Sequence, residues 1–221
     1  MSASGSPFDA IVRALRKEYA RHKAPVIDLL AAQTRDPLKV LVATLLSART
    51  KDATTAQAIG RLFARAGTLE ELRALPEDEI ASLIFPVGFY RVKARHVKAL
   101  AERLALDFGG EVPRTLEGLC SLPGVGRKTA NLVLAQAFGI PAICVDVHVH
   151  RISNRLGLVE TSSPFETEMA LRERLPERYW IEWNTLLVSF GQTRCRPVNP
   201  RCEGCPFGGR CPASNAPRAP R

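Results

Sequence analysis

The sequence predicts an all-α protein. Apolar residues recur at helical spacing along most of the chain, and helix-starting and helix-ending residues punctuate it at intervals. No alternating apolar–polar run of strand length stands out. About ten helices joined by short polar turns account for this pattern.

Taken in order, Phe8, Ile11, Val12, Leu15 and Tyr19 fall on one face of an opening helix. Asp36 followed by Pro37 supplies a cap and a first-turn proline for an almost wholly apolar helix through Val40 to Leu46. Thr68 with Glu71 reads as a capping box. A helix from about Val92 should end near Phe108, where Gly109 and Gly110 stop it. Two helical segments, Thr115 to Leu122 and roughly Lys128 to Phe138, flank a glycine turn, and His148 to Leu156 forms the next helix. Ser163 with Glu166 reads as a second capping box, with Pro164 at the first helical position. The helix holding Trp180, Trp183, Leu187 and Phe190 should end near Gly191. The tail from Ala213 to Arg221, rich in proline, arginine and alanine, reads as disordered.

At 221 residues the chain is long enough for one large domain or two small ones, and its composition, 46% hydrophobic and 24% charged, is that of a globular protein. The formal charge is +9, mostly arginine; a basic excess favours polyanionic partners such as nucleic acid, and on charge alone a merely solubilising surface stands as the plainer reading. The start, Met1 to Pro7, is small and polar with no following apolar run, so no secretory signal is expected. The longest apolar stretch, Val40 to Leu46, is far too short to span a bilayer, and no membrane association is expected. Six cysteines without a signal point to a reducing, cytoplasmic setting, where clustered cysteines serve as metal ligands more often than as disulfides. Cys120 and Cys144 sit among apolar neighbours and read as buried packing residues.

Four cysteines, Cys195, Cys202, Cys205 and Cys211, follow the pattern C-x6-C-x2-C-x5-C in a segment crowded with proline and glycine. So little apolar material cannot hold itself together, and four thiolates around a metal centre would do it. Zinc prefers two closely spaced cysteine pairs, and only one exists here. The wide first and last gaps suit wrapping a four-iron cluster. Iron–sulfur cluster, zinc and disulfides all remain open on spacing alone.

A second motif runs Leu122-Pro123-Gly124-Val125-Gly126-Arg127-Lys128-Thr129-Ala130. Two glycines bracket one apolar residue where a helix begins. Without Cβ atoms their backbone N–H groups can approach a phosphate, and the helix dipole adds to the attraction. An αα-hairpin with a plain glycine turn is the simpler alternative. Leu-Pro before it and Arg-Lys after it favour a helix–hairpin–helix that grips a DNA backbone without reading sequence.

Lys128 is read either as a phosphate contact or as a nucleophile. A free lysine has a pKa of about 10.4 and is inert at neutral pH. A partly buried place at a helix N-terminus beside Arg127 would disfavour the charge and free an amine able to form a Schiff base with a sugar carbon. Asp146, between Val145 and Val147, reads as the cap of the following helix. The same carboxylate could stabilise positive charge on a reacting sugar.

Together these segments resemble the endonuclease III family of bifunctional DNA glycosylase/AP lyases. The resemblance rests on Leu122 to Leu134, Val145 to Arg155 and the four cysteines, with weaker support from Leu45 to Asp52 and Val87 to Ala94. It runs from about Pro37 to Cys211. It implies two helical domains with a cleft between them: a six-helix domain with the helix–hairpin–helix over 30–140, and a discontinuous domain of 1–29 and 141–221 carrying a [4Fe–4S] cluster on Cys195, Cys202, Cys205 and Cys211. It implies Lys128 as the attacking amine and Asp146 as the assisting carboxylate. DNA contacts would come from Gly124, Gly126 and Arg127 in the hairpin, Arg49 in a loop filling the space of an extruded base, Val87 and Phe89 in a wedging loop, and Arg196 and Arg201 between the first two cysteines.

The implied partner is double-stranded DNA holding a damaged base or abasic site, bound by a monomer. Members often carry glutamine at the position of Arg49 and leucine at that of Phe89, and some have a carboxylate at that of Cys120. These departures bear on substrate range and opposite-base preference. Two alternatives differ in kind: a monofunctional mismatch glycosylase, which would lack lysine at position 128, and a non-catalytic iron–sulfur DNA-binding module.

Overall fold

A computed structural model describes residues 6–21, 25–34 and 36–214. Among these there are twelve α-helices and no strand. The helices are α1 (Pro7–Tyr19), α2 (Val26–Thr34), α3 (Pro37–Ser47), α4 (Asp52–Arg65), α5 (Leu69–Ala74), α6 (Glu77–Ile84), α7 (Tyr90–Asp107), α8 (Leu116–Cys120), α9 (Arg127–Phe138), α10 (Val147–Arg155), α11 (Pro164–Arg174) and α12 (Trp180–Thr193). Two 3₁₀ turns, Glu177–Tyr179 and Pro212–Ser214, complete the set. The sequence led us to expect about ten helices. Helices as short as α5 and α8 span fewer than two turns and leave little periodicity to read.

Local chemistry sets the helix ends. Asp36 caps α3 by accepting from Leu38 and Lys39 N–H at 2.9 and 3.3 Å. Thr68 and Glu71 form the reciprocal capping box on α5. Ser163 does accept from Glu166 N–H at 3.2 Å, but Glu166 turns its carboxylate to Ser162, so the second expected capping box is only half made. The last long helix runs past Gly191 to Thr193. Ala213 and Ser214 belong to a 3₁₀ turn rather than a disordered tail, and 215–221 lie outside the described residues.

The chain divides into two compact units. The unit Pro25–Ile140 holds α2 to α9, six helices of eight residues or more and two shorter ones. Its core is α3, whose residues Val40 to Leu46 are all buried, packed against α2, α4, α7 and α9. The other unit joins α1 to everything from Pro141 onward. Phe8, Val12 and Leu15 of α1 pack with Ile143, Val149, Ile152, Trp183, Leu187 and Phe190, and Phe8 meets Trp183 edge-on at 5.8 Å. Glu18, on the same apolar face, is buried and bonded to Arg21 at 2.9 Å and Arg194 at 2.8 Å. No helix among the described residues is long and apolar enough to cross a membrane.

Candidate active site and nucleic-acid interface

In the unit Pro25–Ile140, the glycine turn is built from its flanks inward. Thr115 caps α8 by accepting from Gly118 N–H at 3.1 Å, and Leu119, Leu122 and Val125 bury their side chains. Gly124 adopts φ +75°, and a Cβ there would fall 2.6 Å from His96 Nδ1, so its glycine is required twice over. Gly126 differs from expectation. Its φ of −93° suits any residue, and its distinction is the open space where a Cβ would stand. It is the N-cap of α9 and gives the helix no side-chain cap. An anion fits such a place.

Lys128 is exposed on that first turn, and Arg127 is half-buried. The partial burial expected of Lys128 does not occur. Helix α9 buries the continuous run Ala130 to Ala135, and Lys128 stands on the exposed first turn before that run begins. Cys120 is exposed too, contrary to the sequence reading, because five-residue α8 buries only Leu119. Cys144 is buried as expected.

Two further turns of this unit meet each other. Arg49 and Phe89 both adopt left-handed backbone, φ +55° and +59°. The Arg49 guanidinium lies 5.6 Å over the Phe89 ring. Phe89 is 63% exposed, whereas Val87 is buried in the core, so Val87 does not offer DNA a side chain as the resemblance implied. Gly88 N–H donates to Thr50 Oγ1 at 3.1 Å, and a Cβ at Gly88 would fall 2.7 Å from the Arg49 carbonyl oxygen. Beneath both turns lies Lys93. It is buried, its Nζ donates to the carbonyls of Leu46 (2.8 Å) and Ala48 and to Thr50 Oγ1 (3.3 Å), and burial pushes its ammonium down to about 8.

The sequence reading missed Lys93. Its signal was a lysine in register with Val97, Leu100 and Leu104, on the apolar face of α7.

In the other unit, Asp146 caps α10. Its Oδ1 accepts from His148 and Val149 N–H, both at 2.9 Å. The strand-like approach, Ala142 to Val145, is buried, and Asn184 Nδ2 holds the Cys144 carbonyl at 3.1 Å. Arg151 of α10 donates to the Cys195 carbonyl at 2.8 Å. Arg155 donates to the carbonyls of Arg196 and Pro197 at 2.7 and 2.8 Å. The helix that carries Asp146 therefore also fastens the start of the cysteine segment. Arg196 and Arg201 are exposed in the loop so held.

No two of the six cysteines form a disulfide. Cys195, Cys202, Cys205 and Cys211 line one cavity of about 100 Å³, closed by Phe190, Phe207, Arg155 and Arg194. No three His, Cys, Asp or Glu side chains among the described residues converge on a single-ion site. Four thiols lining one volume are a donor set that fits a metal centre. Burial pushes the Cys205 thiol up, so a metal centre would have to draw off its proton.

Comparison with known proteins gives a separate line of evidence. Residues 42–177 match the model of the HhH-GPD superfamily base excision DNA repair proteins. Endonuclease III of Thermotoga maritima is 47% identical over 80% of this chain and 83% of its own. Endonuclease III of Bacillus subtilis is 40% identical over 80% of this chain and 81% of its own. A solved structure of a trapped endonuclease III–DNA covalent intermediate superposes with a TM-score of 0.82 at 35% identity, covering 93% of this chain and 96% of that one.

Proposed function

Because the chain belongs to the endonuclease III family of the HhH-GPD superfamily, and is a base-excision-repair DNA glycosylase and lyase, we propose that Lys128 is its nucleophile and Asp146 the carboxylate that assists it. The supporting observation is an exposed lysine on the first turn of α9, directly after the open Gly126. Arginine-rich surface brings the protein to DNA without regard to sequence. The Gly124–Gly126 turn and the uncapped start of α9 hold a phosphate. A damaged nucleotide is extruded, least expensively where stacking is already weak.

Bound DNA, rather than the protein's own core, supplies the dry surroundings that Lys128 needs. Its neutral amine attacks the sugar carbon C1′ as the bond to the base breaks, and the base leaves with the electron pair and takes up a proton. The resulting amine adduct opens the ring to a Schiff base. Loss of a C2′ proton then expels the 3′ phosphate by β-elimination, cutting the strand 3′ to the lesion. Asp146 spends Oδ1 on its helix cap and keeps Oδ2 for the substrate, where it stabilises positive charge and passes protons. The substrates are oxidised or ring-saturated pyrimidines and abasic sites.

Cys195, Cys202, Cys205 and Cys211 would hold a [4Fe–4S] cluster, whose contribution is to fold the loop that presents Arg196 and Arg201. A duplex with one abasic site tests the activity. The expected product is a nick 3′ to that site, formed without added magnesium. Tight binding with an intact strand would favour a non-catalytic module, and on a second duplex with an oxidised pyrimidine, base release without a nick would favour a monofunctional glycosylase. A broad absorbance near the violet–blue boundary reports the cluster.

A further inference from the structure

Two turns carry Arg49 and Phe89, and both residues hold left-handed backbone without being glycine. A phenylalanine in that region is costly and persists only where its surroundings over-determine it. The surroundings here converge on one ammonium group. Lys93 Nζ reaches Leu46 and Ala48, whose carbonyls end α3, together with the Thr50 hydroxyl. Thr50 in turn accepts from Gly88, the residue before Phe89. Arg61 grips the same region from α4 by donating to the carbonyls of Leu83 and Phe85.

We propose that Lys93 is a positioning residue that fastens the 47–51 and 85–89 turns into one rigid wedge, whose working surfaces are Arg49 and Phe89. The proposal rests on the reading that these turns face DNA. A wedge must keep its shape while an extruded nucleotide leaves a gap in the stack, because a loose side chain would collapse into the gap or follow the base out. Lys93 supplies the stiffness from below without touching DNA. The carbonyl end of a helix is where a cation is best received, and one ammonium offers three donors to three acceptors within residues 46–50, while the Lys93 backbone N–H donates to the Phe89 carbonyl at 3.0 Å.

The choice of residue fits this role. An apolar side chain of equal length would fill the buried space on α7 at no electrostatic cost. A lysine there carries a burial cost that its hydrogen bonds only offset, with its ammonium pushed down to about 8, and such violations of local rules concentrate at functional sites.

The test compares wild type, Lys93→Met, Phe89→Ala and the double variant in single turnover on two duplexes, one with an oxidised pyrimidine and one with a ready-made abasic site. Base extrusion is required in full only by the first. We expect Lys93→Met to slow excision of the base roughly tenfold or more, cleavage of the abasic site less than about threefold, with melting temperature unchanged. The loss should be non-additive with Phe89→Ala, because Lys93 acts through that residue. Should Lys93→Met fail to fold, Thr50→Val breaks the link to Gly88 at a half-exposed position and should give the same selective loss.

Equal slowing on both duplexes, or additivity with Phe89→Ala, would overturn the positioning role. A wild-type protein inert on both duplexes would instead overturn the functional reading, and the proposal with it.

Discussion

Replacing Lys93 by methionine exposes what its charge does to the fold. Burial alone lowers the ammonium from 10.5 to about 8. At 1.36 kcal/mol per tenfold, the difference of 2.5 corresponds to about 3 kcal/mol by which folding disfavours the charge. Below pH 8 both folded and unfolded chains are protonated, and the folded chain bears that cost in full. Between pH 8 and 10.5 the unfolded chain still holds a proton that the folded one has released, so stability rises with pH, by about 2.5 kcal/mol at pH 10.

Methionine removes the cost but abandons the carbonyls of Leu46 and Ala48, at about 1–3 kcal/mol for the pair. The two proteins should therefore be about equally stable at pH 7. Wild type should be the more stable by roughly 2–3 kcal/mol at pH 10. Urea unfolding of both proteins at pH 7, 8, 9 and 10, followed by circular dichroism, gives the difference directly and cancels the other titrating groups. A difference that stays flat across this range would refute the buried-ammonium argument. So would a Lys93→Met protein less stable than wild type by more than about 3 kcal/mol at pH 7.

Other outcomes follow from the same geometry. Asp146→Asn keeps a residue that caps a helix equally well, so the melting temperature should hold while single-turnover cleavage falls by about a hundredfold; a parallel loss of stability would assign the carboxylate to capping alone. Gly124→Ala forces a Cβ into left-handed backbone and against His96, and should cost roughly 2–4 kcal/mol in chemical unfolding, where a loss under 1 kcal/mol would show that the turn relaxes freely. Glu18→Gln takes the countercharge from Arg194, which also holds the Glu203 carbonyl, and should speed loss of the proposed cluster's absorbance under a chelator; an unchanged rate would mean the cysteine segment stands without that anchor.

The sequence made the fold legible wherever a signal was local. Asp36, Thr68 and Asp146 each cap the helix they were expected to cap, because capping involves only the next two or three N–H groups. The apolar run Val40 to Leu46 became the central helix of its unit. The lapses came where direction or distance mattered. Lys128, at a helix start beside Arg127, and Cys120, next to Leu119, were expected to be at least partly buried, yet both are exposed, since position along a chain does not fix which face of a helix a residue takes. Val87 and Phe89 read alike as wedge residues, but only the backbone path decides that one turns into the core and the other into solvent.

Glu18 and Lys93 were overlooked as charges on apolar faces, and their partners lie 176 and 47 residues away in the chain. The cysteine spacing pointed to a shared site, and the four side chains do line one cavity.

The central claim is that the Lys128 amine becomes bonded to the deoxyribose during turnover. Borohydride reduction of the protein on a duplex with one abasic site, followed by proteolysis and mass spectrometry of the cross-linked peptide, tests it most directly. The account predicts a sugar adduct on Lys128 and its absence in Lys128→Ala, with DNA binding by that variant largely retained. Undiminished trapping in Lys128→Ala, or an adduct carried by another amine in the wild-type protein, would contradict it.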